Sequence, residues 1–308
     1  MRVLKKLNQE NLLFYDIETA TVVKELELDT PLFDSWKWKC DKTGEMNNDE
    51  IIASFKDKAG LYPEFSKIVS LVVGKIIDNK ILLMTFDDPD EAKLLTGFND
   101  AIERNIKCDI VGFFSSGFDT PFTYKRMLIN GIIPHDKIDN SGLKPWEISG
   151  YDLATEWKGS SFERASLLSI ATAFGLPSPK DGDVAGKEVG EVYWRDGKDG
   201  LARISKYCRR DVVTTINVFK KMRLEEPLER STEEVIPIEE LPFMVKLLNG
   251  GAYNKIQKDD LMSIFKGMDQ EEREMGYVIL NSIVSGAKGK KTKLTKAHVK
   301  ELKSTMND

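Results

Sequence analysis

The 308-residue sequence predicts an α/β fold in which a mixed sheet is flanked by helices, followed by a small helical C-terminal appendage. Two observations predict this class. Short apolar runs rich in β-branched residues first form a hairpin pattern and then alternate with segments of helical spacing. Such an order is typical of a sheet with both antiparallel and parallel strands. A hydrophobic content of 41% supplies enough apolar side chains for a globular core.

The first predicted strands lie in the N-terminal third of the chain. Residues 11–18 form a short apolar run that ends in acidic side chains. Residues 68–77 are rich in Ile and Val, and residues 80–86 follow after an Asp-Asn turn signal, so we predict a hairpin. Between these strands, residues 21–61 show no sustained periodicity, and we interpret them as an insertion with some helix.

Helices and strands alternate in the second half of the main domain. The predicted helices span residues 90–105, 118–129, 162–174 and 201–222. A strand at residues 110–114 separates the first two helices, and a brief strand is predicted at residues 151–153. The third helix is expected to open with a capping box formed by Ser160 and Glu163. Residues 177–200 are rich in Gly and Asp and are predicted to form a loop.

A change of composition near residue 225 predicts the end of the main domain, which we assign to residues 1–224. Residues 225–237 are rich in Glu, Pro, Ser and Thr and are predicted to be a linker. Residues 238–308 show helical spacing and are predicted to form a small helical domain with a basic tail. Clustered lysines favour either salt-sensitive phosphate contact or a solvated helix face. The lysines of this tail are Lys288, Lys290, Lys291, Lys293, Lys296, Lys300 and Lys303.

Charge, cysteine usage and hydropathy exclude several classes of protein. A net charge of −5 argues against general binding of polyanions, so nucleic-acid contact requires local patches or metal-bridged phosphates. Three cysteines without a C-x-x-C pair, together with two histidines, disfavour a zinc site. The N-terminus lacks the apolar core of a signal peptide, and no apolar run approaches the ~18 residues of a membrane span. We therefore expect a cytoplasmic protein without membrane association.

Four carboxylates in three separate strings are the strongest functional signal. Asp16 and Glu18 lie two residues apart on a predicted strand and therefore project to one face. Asp119 opens a predicted helix, and Asp211 follows Tyr207 by four residues on another. Each string alone fits a solvated strand end, a helix cap or a surface pair. Burying several carboxylates together, however, is unfavourable without a cation, and an all-oxygen ligand set favours Mg²⁺ or Mn²⁺.

These strings resemble the exonuclease motifs of the DEDD superfamily of 3′–5′ exonucleases, whose fold is ribonuclease-H-like. Residues 16–19 resemble the first motif, and residues 112–122 are similar to the second motif of the proofreading domain in B-family DNA polymerases. Residues 207–211 resemble the third motif in its tyrosine variant, since the histidine variant would carry His where Lys206 stands. One departure is Phe114, because B-family motifs usually carry Asn at that position.

The resemblance implies a stand-alone, phage-like exonuclease that releases nucleoside monophosphates from single-stranded DNA 3′ ends by two-metal-ion hydrolysis. It implies that Asp16, Glu18, Asp119 and Asp211 hold two Mg²⁺ or Mn²⁺ ions. It also implies that Tyr207 orients the attacking water. The alternatives are a 3′–5′ exoribonuclease of the same branch and a non-catalytic nucleic-acid-binding relative, which should have lost at least one of the carboxylates.

The resemblance also indicates residues that contact the substrate. Thr19 is expected to hydrogen-bond the terminal nucleotide. Phe118 and Phe122 flank the acidic residue of the second motif and are candidates for stacking on bases, with core packing as the alternative for each. Asp152 is either a fifth acid or a turn residue before a helix, and we leave it outside the catalytic set. A replication or repair protein is a candidate partner.

Overall fold

A computed structural model describes residues 4–228 except residues 78, 145, 146, 149, 181 and 183. The predicted α/β class is confirmed, because the described chain forms a five-stranded mixed sheet with helices packed against it. The predicted helical domain at residues 238–308, its basic tail and most of the predicted linker at residues 225–237 lie outside the described residues.

The elements follow the predicted alternation of strands and helices. The strands are β1 (Leu12–Thr21), β2 (Ser66–Ile77), β3 (Lys80–Phe86), β4 (Asp109–Gly112) and β5 (Tyr151–Asp152). The helices are α1 (Pro31–Cys40), α2 (Asn48–Lys58), α3 (Glu91–Arg104), α4 (Asp119–Ile129), α5 (Leu153–Lys158), α6 (Leu167–Ala173) and α7 (Val189–Met222). None of these helices in the described part of the chain is both long and apolar enough to cross a lipid bilayer.

The sheet has the strand order β3-β2-β1-β4-β5. Strand β1 pairs antiparallel with β2 and parallel with β4, and β2 and β3 form the predicted hairpin. Strand β5 extends the parallel part of the sheet beyond β4. Strand β1 is therefore central, and along it only Asp16 and Thr19 are partly exposed. Asp16 and Glu18, the acidic residues of this strand, therefore lie on the middle strand of the sheet.

Helix α7 packs across β1 and β2. Gly74 on β2 permits this close approach, because a Cβ atom there would lie 2.6 Å from Cγ1 of Val212 and 2.9 Å from Cδ1 of Ile216. The same face of the sheet buries Phe14 and Phe219, whose ring centroids are 5.3 Å apart in an edge-to-face arrangement. The missing side chain at Gly74 thus brings α7 close enough to present its polar residues to β1.

A buried ion pair anchors helix α4. The guanidinium of Arg126 donates from Nε to Oε1 of Glu91 (2.9 Å) and from Nη2 to the other oxygen, and its Nη1 donates to the Pro63 carbonyl (2.8 Å). Glu91 also accepts the backbone N–H of Ile68 (2.8 Å) and the side-chain amide of Asn130 (3.0 Å). Both buried charges are thereby satisfied, and the network ties α3, α4 and the start of β2 together.

The stretch predicted to be an insertion, residues 21–61, contains α1 and α2 packed around a small core of their own. Trp36 is buried at its centre, and its indole N–H donates to the Ile51 carbonyl (3.2 Å) and to the Ser54 hydroxyl (2.9 Å). Its ring contacts Phe65 edge-to-face with centroids 5.0 Å apart. The helices thus bury one aromatic anchor whose polar atom is satisfied.

The predicted start of the third helix was wrong. The capping box of Ser160 and Glu163 does not open a helix, and α6 begins at Leu167 instead. The Ser166 hydroxyl accepts the backbone N–H of Ser169 (3.1 Å) and caps the helix at that point. Ser160 and Ser166 are both able to cap a helix, and the cap is Ser166, which directly precedes the residues that bury apolar side chains. The segment before α6 therefore has no regular secondary structure and is largely exposed.

The predicted loop at residues 177–200 was too long, because α7 begins at Val189. Val189 and Val192 lie one turn apart and bury their side chains in a small cluster with Ala20, which stabilises this first part of the helix. Gly197 has φ 58° and ψ −125°, which are not helical, so α7 consists of two helical segments that meet at a kink there. The glycines and acidic residues of the stretch concealed this short apolar face.

Candidate active site

The first two acidic residues lie on the central strand. Asp16 and Glu18 both project to the face of β1 that α7 covers, two residues apart as the strand period requires. Asp16 pairs with Val72 and Glu18 with Ser70 on the neighbouring strand. Glu18 is only 9% exposed, whereas Asp16 is partly exposed, so solvent reaches this pair mainly at Asp16.

Asp119 joins the first two acids through the backbone of β1. It is the first residue of α4 and is 4% exposed. Its Oδ1 accepts the backbone N–H of Ile17 at 3.1 Å, which places it directly between Asp16 and Glu18 along the strand. The neighbouring Thr120 hydroxyl hydrogen-bonds the Tyr15 hydroxyl, a second link between α4 and β1.

Helix α7 supplies the remaining acid and the tyrosine. Tyr207 and Asp211 lie four residues apart on one face of the helix, so the tyrosine hydroxyl lies beside the Asp211 carboxylate. Tyr207 is 7% exposed. Its hydroxyl lies beside the loop before α7, since a Cβ atom on Gly186 would be 3.4 Å from the hydroxyl oxygen. The structure thus brings the predicted acids and the predicted tyrosine to one place.

The electrostatics of this cluster favour protonation or a cation. Burial raises the pKa of Asp16 and of Glu18 well above the usual range, and the charges of the other acids raise both further. Burial also raises the pKa of Asp119 to about 7 and that of Asp211 to about 7. Four carboxylates with raised pKa values at one place fit a site for divalent cations, because a cation removes their mutual repulsion and replaces lost hydration.

Sequence reasoning missed Cys208, which lies within the cluster. Its thiol is buried, lies 3.4 Å from the Asp16 carbonyl oxygen and 3.6 Å from Oδ2, and is positioned to donate to them. One ligand atom each from Asp16, Glu18 and Cys208 lie within 4.8 Å of one another, an arrangement able to hold a metal ion. Burial raises the pKa of the thiol, so it is a neutral donor beside the carboxylates. A single cysteine on the buried face of an amphipathic helix gives no sequence signal for this position.

Asp152 is a helix cap that also organises the loop before α4. Its side chain accepts the backbone N–H groups of Ala154 (3.0 Å) and Thr155 (3.4 Å) at the start of α5. It also accepts the backbone N–H of Phe114 (2.9 Å) and of Ser116 (3.1 Å). Of the two sequence alternatives, the structure supports the helix-approach role. Its charge nevertheless contributes to the raised pKa of Asp119.

The residues predicted to contact substrate have different surroundings. The Thr19 hydroxyl donates to the Gly60 carbonyl at 2.7 Å, which ties the end of β1 to the turn after α2. Phe118 is partly exposed and packs against Phe122, with ring centroids 5.3 Å apart. Phe122 is 2% exposed and has no ring face open to a base, so its surroundings assign it to core packing, the alternative noted for it. Stacking on Phe118 stays a prediction.

Comparison with known proteins identifies the family. The model of a family described as a predicted 3′–5′ exonuclease related to the exonuclease domain of PolB matches residues 61–241, more than half of the chain. The chain belongs to this family. The expected relationship to polymerase exonuclease domains is thereby confirmed at the level of the family, and a nucleic acid is the substrate that this family implies. The matched segment contains Asp119, Tyr207 and Asp211 but begins after Asp16 and Glu18.

One similar solved structure is the family B DNA polymerase from the hyperthermophilic archaeon Pyrobaculum calidifontis. It shares 16% identity with this exonuclease-family chain, at a TM-score of 0.46. The similarity covers 69% of this chain and 24% of the polymerase. The chain thus spans about a quarter of the length of that polymerase. No curated protein matches the sequence.

Proposed function

We propose that this family member is a metal-dependent 3′–5′ exonuclease that releases nucleoside monophosphates from the 3′ ends of single-stranded DNA. The observation that carries the proposal is the convergence of Asp16, Glu18, Asp119 and Asp211 in one cluster, in which Glu18 and Asp119 are buried and the other two acids are partly exposed. Buried carboxylates that repel one another are unfavourable unless they bind a cation. Two divalent cations, Mg²⁺ or Mn²⁺, would supply a hydroxide at neutral pH and stabilise the departing 3′ oxygen.

Each acidic side chain has a proposed part in holding these ions. Asp16 lies on the central strand and its pKa responds to the charges of the three other acids, so its carboxylate would be a ligand common to both ions. Glu18 and Asp211 would hold one ion, which would supply a hydroxide, and Asp119 would hold the second ion. The Ile17 N–H donates to one Asp119 oxygen and leaves the other available as a ligand.

Tyr207 acts as a hydrogen-bond donor rather than as a base. Burial and the neighbouring charge of Asp211 raise the pKa of its hydroxyl above its ordinary value of about 10. The hydroxyl therefore keeps its proton at any physiological pH. Lying beside Asp211, the hydroxyl would orient a water molecule for attack on the terminal phosphate.

DNA is the favoured polymer, because residues 112–122 resemble the second motif of B-family polymerase exonucleases. RNA is the alternative substrate within the same branch. A replication or repair protein is the proposed kind of partner, and a phage-like origin and a cytoplasmic location are predictions from the sequence.

A labelled-oligonucleotide assay tests this function. The purified protein is incubated with 3′- or 5′-labelled single-stranded DNA and RNA, with Mg²⁺, Mn²⁺ or EDTA. We expect single nucleotides to be released from 3′ ends of DNA, with no release in EDTA or by Asp16→Ala. The matched control Asp100→Asn, an exposed acid on α3, should retain wild-type activity. A metal-dependent preference for RNA would replace the substrate, and the absence of cleavage of both polymers would overturn the proposal.

A further inference from the structure

Phe114 has an unusual backbone conformation in the turn before α4. Its φ is 62°, the left-handed region that bulky residues rarely occupy. Its carbonyl accepts the backbone N–H groups of Gly117 and Phe118, both at 3.1 Å, so the turn is closed by hydrogen bonds. A left-handed non-glycine residue is less stable by roughly 1–2 kcal/mol than the same residue in an ordinary conformation. Other contacts must therefore hold this turn in place.

Asp152 supplies those contacts and links the turn to the acidic cluster. One of its oxygens accepts the Phe114 N–H at 2.9 Å, and the other accepts the N–H of Ser116 at 3.1 Å as well as the Ser116 hydroxyl. The turn leads directly into Asp119, the first residue of α4. Phe114 is thus rigidly held at the edge of the candidate active site.

The ring of Phe114 is exposed to solvent. It is 38% exposed although many apolar side chains of this domain are fully buried. It lies over Gly117, where a Cβ atom would be 2.8 Å from the Phe114 Cζ, so glycine leaves the space that the ring needs. Arg164 is an exposed residue in the irregular segment before α6, and its guanidinium carbon lies 4.9 Å from the centroid of the Phe114 ring. Proteins that bind single-stranded nucleic acids combine exposed aromatic rings, on which bases stack, with arginines that contact phosphate. Phe114 and Arg164 form such a pair.

We propose that Phe114 and Arg164 form a stacking platform, on which one base of the single strand rests while its 3′ end lies at the acidic cluster. This inference rests on the proposed function, because it assigns the substrate contact of the same site. Three features support a base as the occupant: the rigid turn, the exposed ring and the positive charge beside it. The platform places a flat, sequence-tolerant surface where Phe114 replaces the Asn usual in B-family motifs, and the arginine adds attraction to phosphate.

Binding of strands with one missing base tests the platform separately from cleavage. The affinity of 12-residue single-stranded DNAs, each with one abasic position, is measured in EDTA for the wild type, Phe114→Leu and Phe114→Trp. Leucine keeps apolar bulk and the same backbone strain but removes the aromatic face. We expect Phe114→Leu to weaken binding of the intact strand about 10- to 100-fold, and Phe114→Trp to retain it. Circular dichroism and thermal melting confirm that the variants are folded.

The decisive readout is the coupling between the residue and one base. At a single position from the 3′ end, removal of the base should weaken wild-type binding but leave Phe114→Leu binding unchanged. Arg164→Ala should reduce the salt dependence of affinity. Trp38→Ala is the control: it removes an exposed aromatic ring on α1, over which the Lys42 amine lies, and it should change neither the affinity nor its salt dependence. Equal sensitivity of wild type and Phe114→Leu at every position, or no strand binding by the wild type, overturns the platform. Loss of the platform with normal metal-dependent cleavage leaves the exonuclease function standing.

Discussion

A single backbone hydrogen bond, from the Ile17 N–H to Asp119 Oδ1, connects the second acidic motif to the first at the residue scale. It orients the Asp119 carboxylate between two other acids without a positively charged side chain. The arrangement is unfavourable by itself, since burial and like charge both oppose ionisation of these groups. In the absence of a cation, the ionised carboxylates of the cluster therefore repel one another at the place where cations are proposed to bind.

Asp119→Asn tests this description. The amide oxygen keeps the acceptor for the Ile17 N–H while the negative charge is removed. We expect the melting temperature of the metal-free protein to rise by a few degrees and the cleavage rate to fall by roughly 100-fold or more. Differential scanning fluorimetry in EDTA and the oligonucleotide assay measure the two effects. Asp100→Asn is the exposed control, and a lower melting temperature for Asp119→Asn would contradict the repulsion argument.

Individual site residues differ in how far the sequence predicts them. The acids and Tyr207 were predicted because their spacing forms a recognisable set. Cys208 was missed because its neighbour Asp16 is distant in sequence and the helix interior explains a cysteine equally well. Phe122 was offered for stacking on the same grounds as Phe118, and only packing shows that one ring is buried and the other is partly exposed.

At the scale of secondary-structure elements, the site depends on how closely α7 approaches the sheet. Gly74 on β2 is the point of contact, opposite Val212 and Ile216. Because α7 carries Tyr207 and Asp211, a small displacement of the helix moves both away from β1. The packing of an apolar surface therefore determines the geometry of a polar site.

Gly74→Ala should displace this helix. The new methyl group would lie 2.6 Å from Val212, and we expect a loss of stability of about 1–3 kcal/mol together with reduced cleavage. Gly190→Ala, in the short helical segment of α7 before the kink at Gly197, is the control. No atom outside its own helix lies within 4 Å of a Cβ there, so alanine should stabilise α7 by roughly 0.5–1 kcal/mol. Urea denaturation measures both, and equal stabilities for the two variants would refute the close-contact argument.

Element boundaries were predicted where apolar periodicity and caps agree, as for α3 and for the hairpin of β2 and β3. The start of α7 was not predicted, since its first turns contain several glycines and only two buried valines. The start of α6 was displaced because Ser160 and Ser166 offer similar capping chemistry in sequence. Tertiary packing selected one of them.

At the scale of the whole molecule, the acidic cluster couples folding to pH and to metal binding. Asp119 and Asp211 have pKa values of about 7 in the folded protein, above the ordinary value of about 4 for an unfolded chain. Between about pH 4 and about pH 7, the two carboxyl groups therefore keep protons in the folded state that the unfolded chain has already released. The contribution of these groups to stability is therefore full below about pH 4 and is lost as pH rises through about 7.

A divalent cation should reverse this loss, because it binds the ionised carboxylates of the folded protein. We expect 5 mM Mg²⁺ or Mn²⁺ to raise the melting temperature more at pH 8 than at pH 5, and EDTA to abolish the rise. Melting curves of wild type and Asp119→Asn over this range isolate the cluster, because the other titrating groups are common to both. The variant should show a smaller metal effect. A metal-induced rise that is equal at both pH values would contradict the coupling.

The sequence by itself determined the α/β class, the hairpin, the helices α3 and α4 and the candidate acidic residues, because these follow from local periodicity and from motif spacing. Only the tertiary structure decided how the acids meet: a strand, a helix start and a helix interior, distant in the chain, converge through the sheet order and through the missing side chain at Gly74. It also decided that Cys208 joins the acids, that Phe122 is buried and that Phe114 is displayed. Burial, proximity and exposure depend on which surfaces pack together, and no short stretch of sequence specifies that.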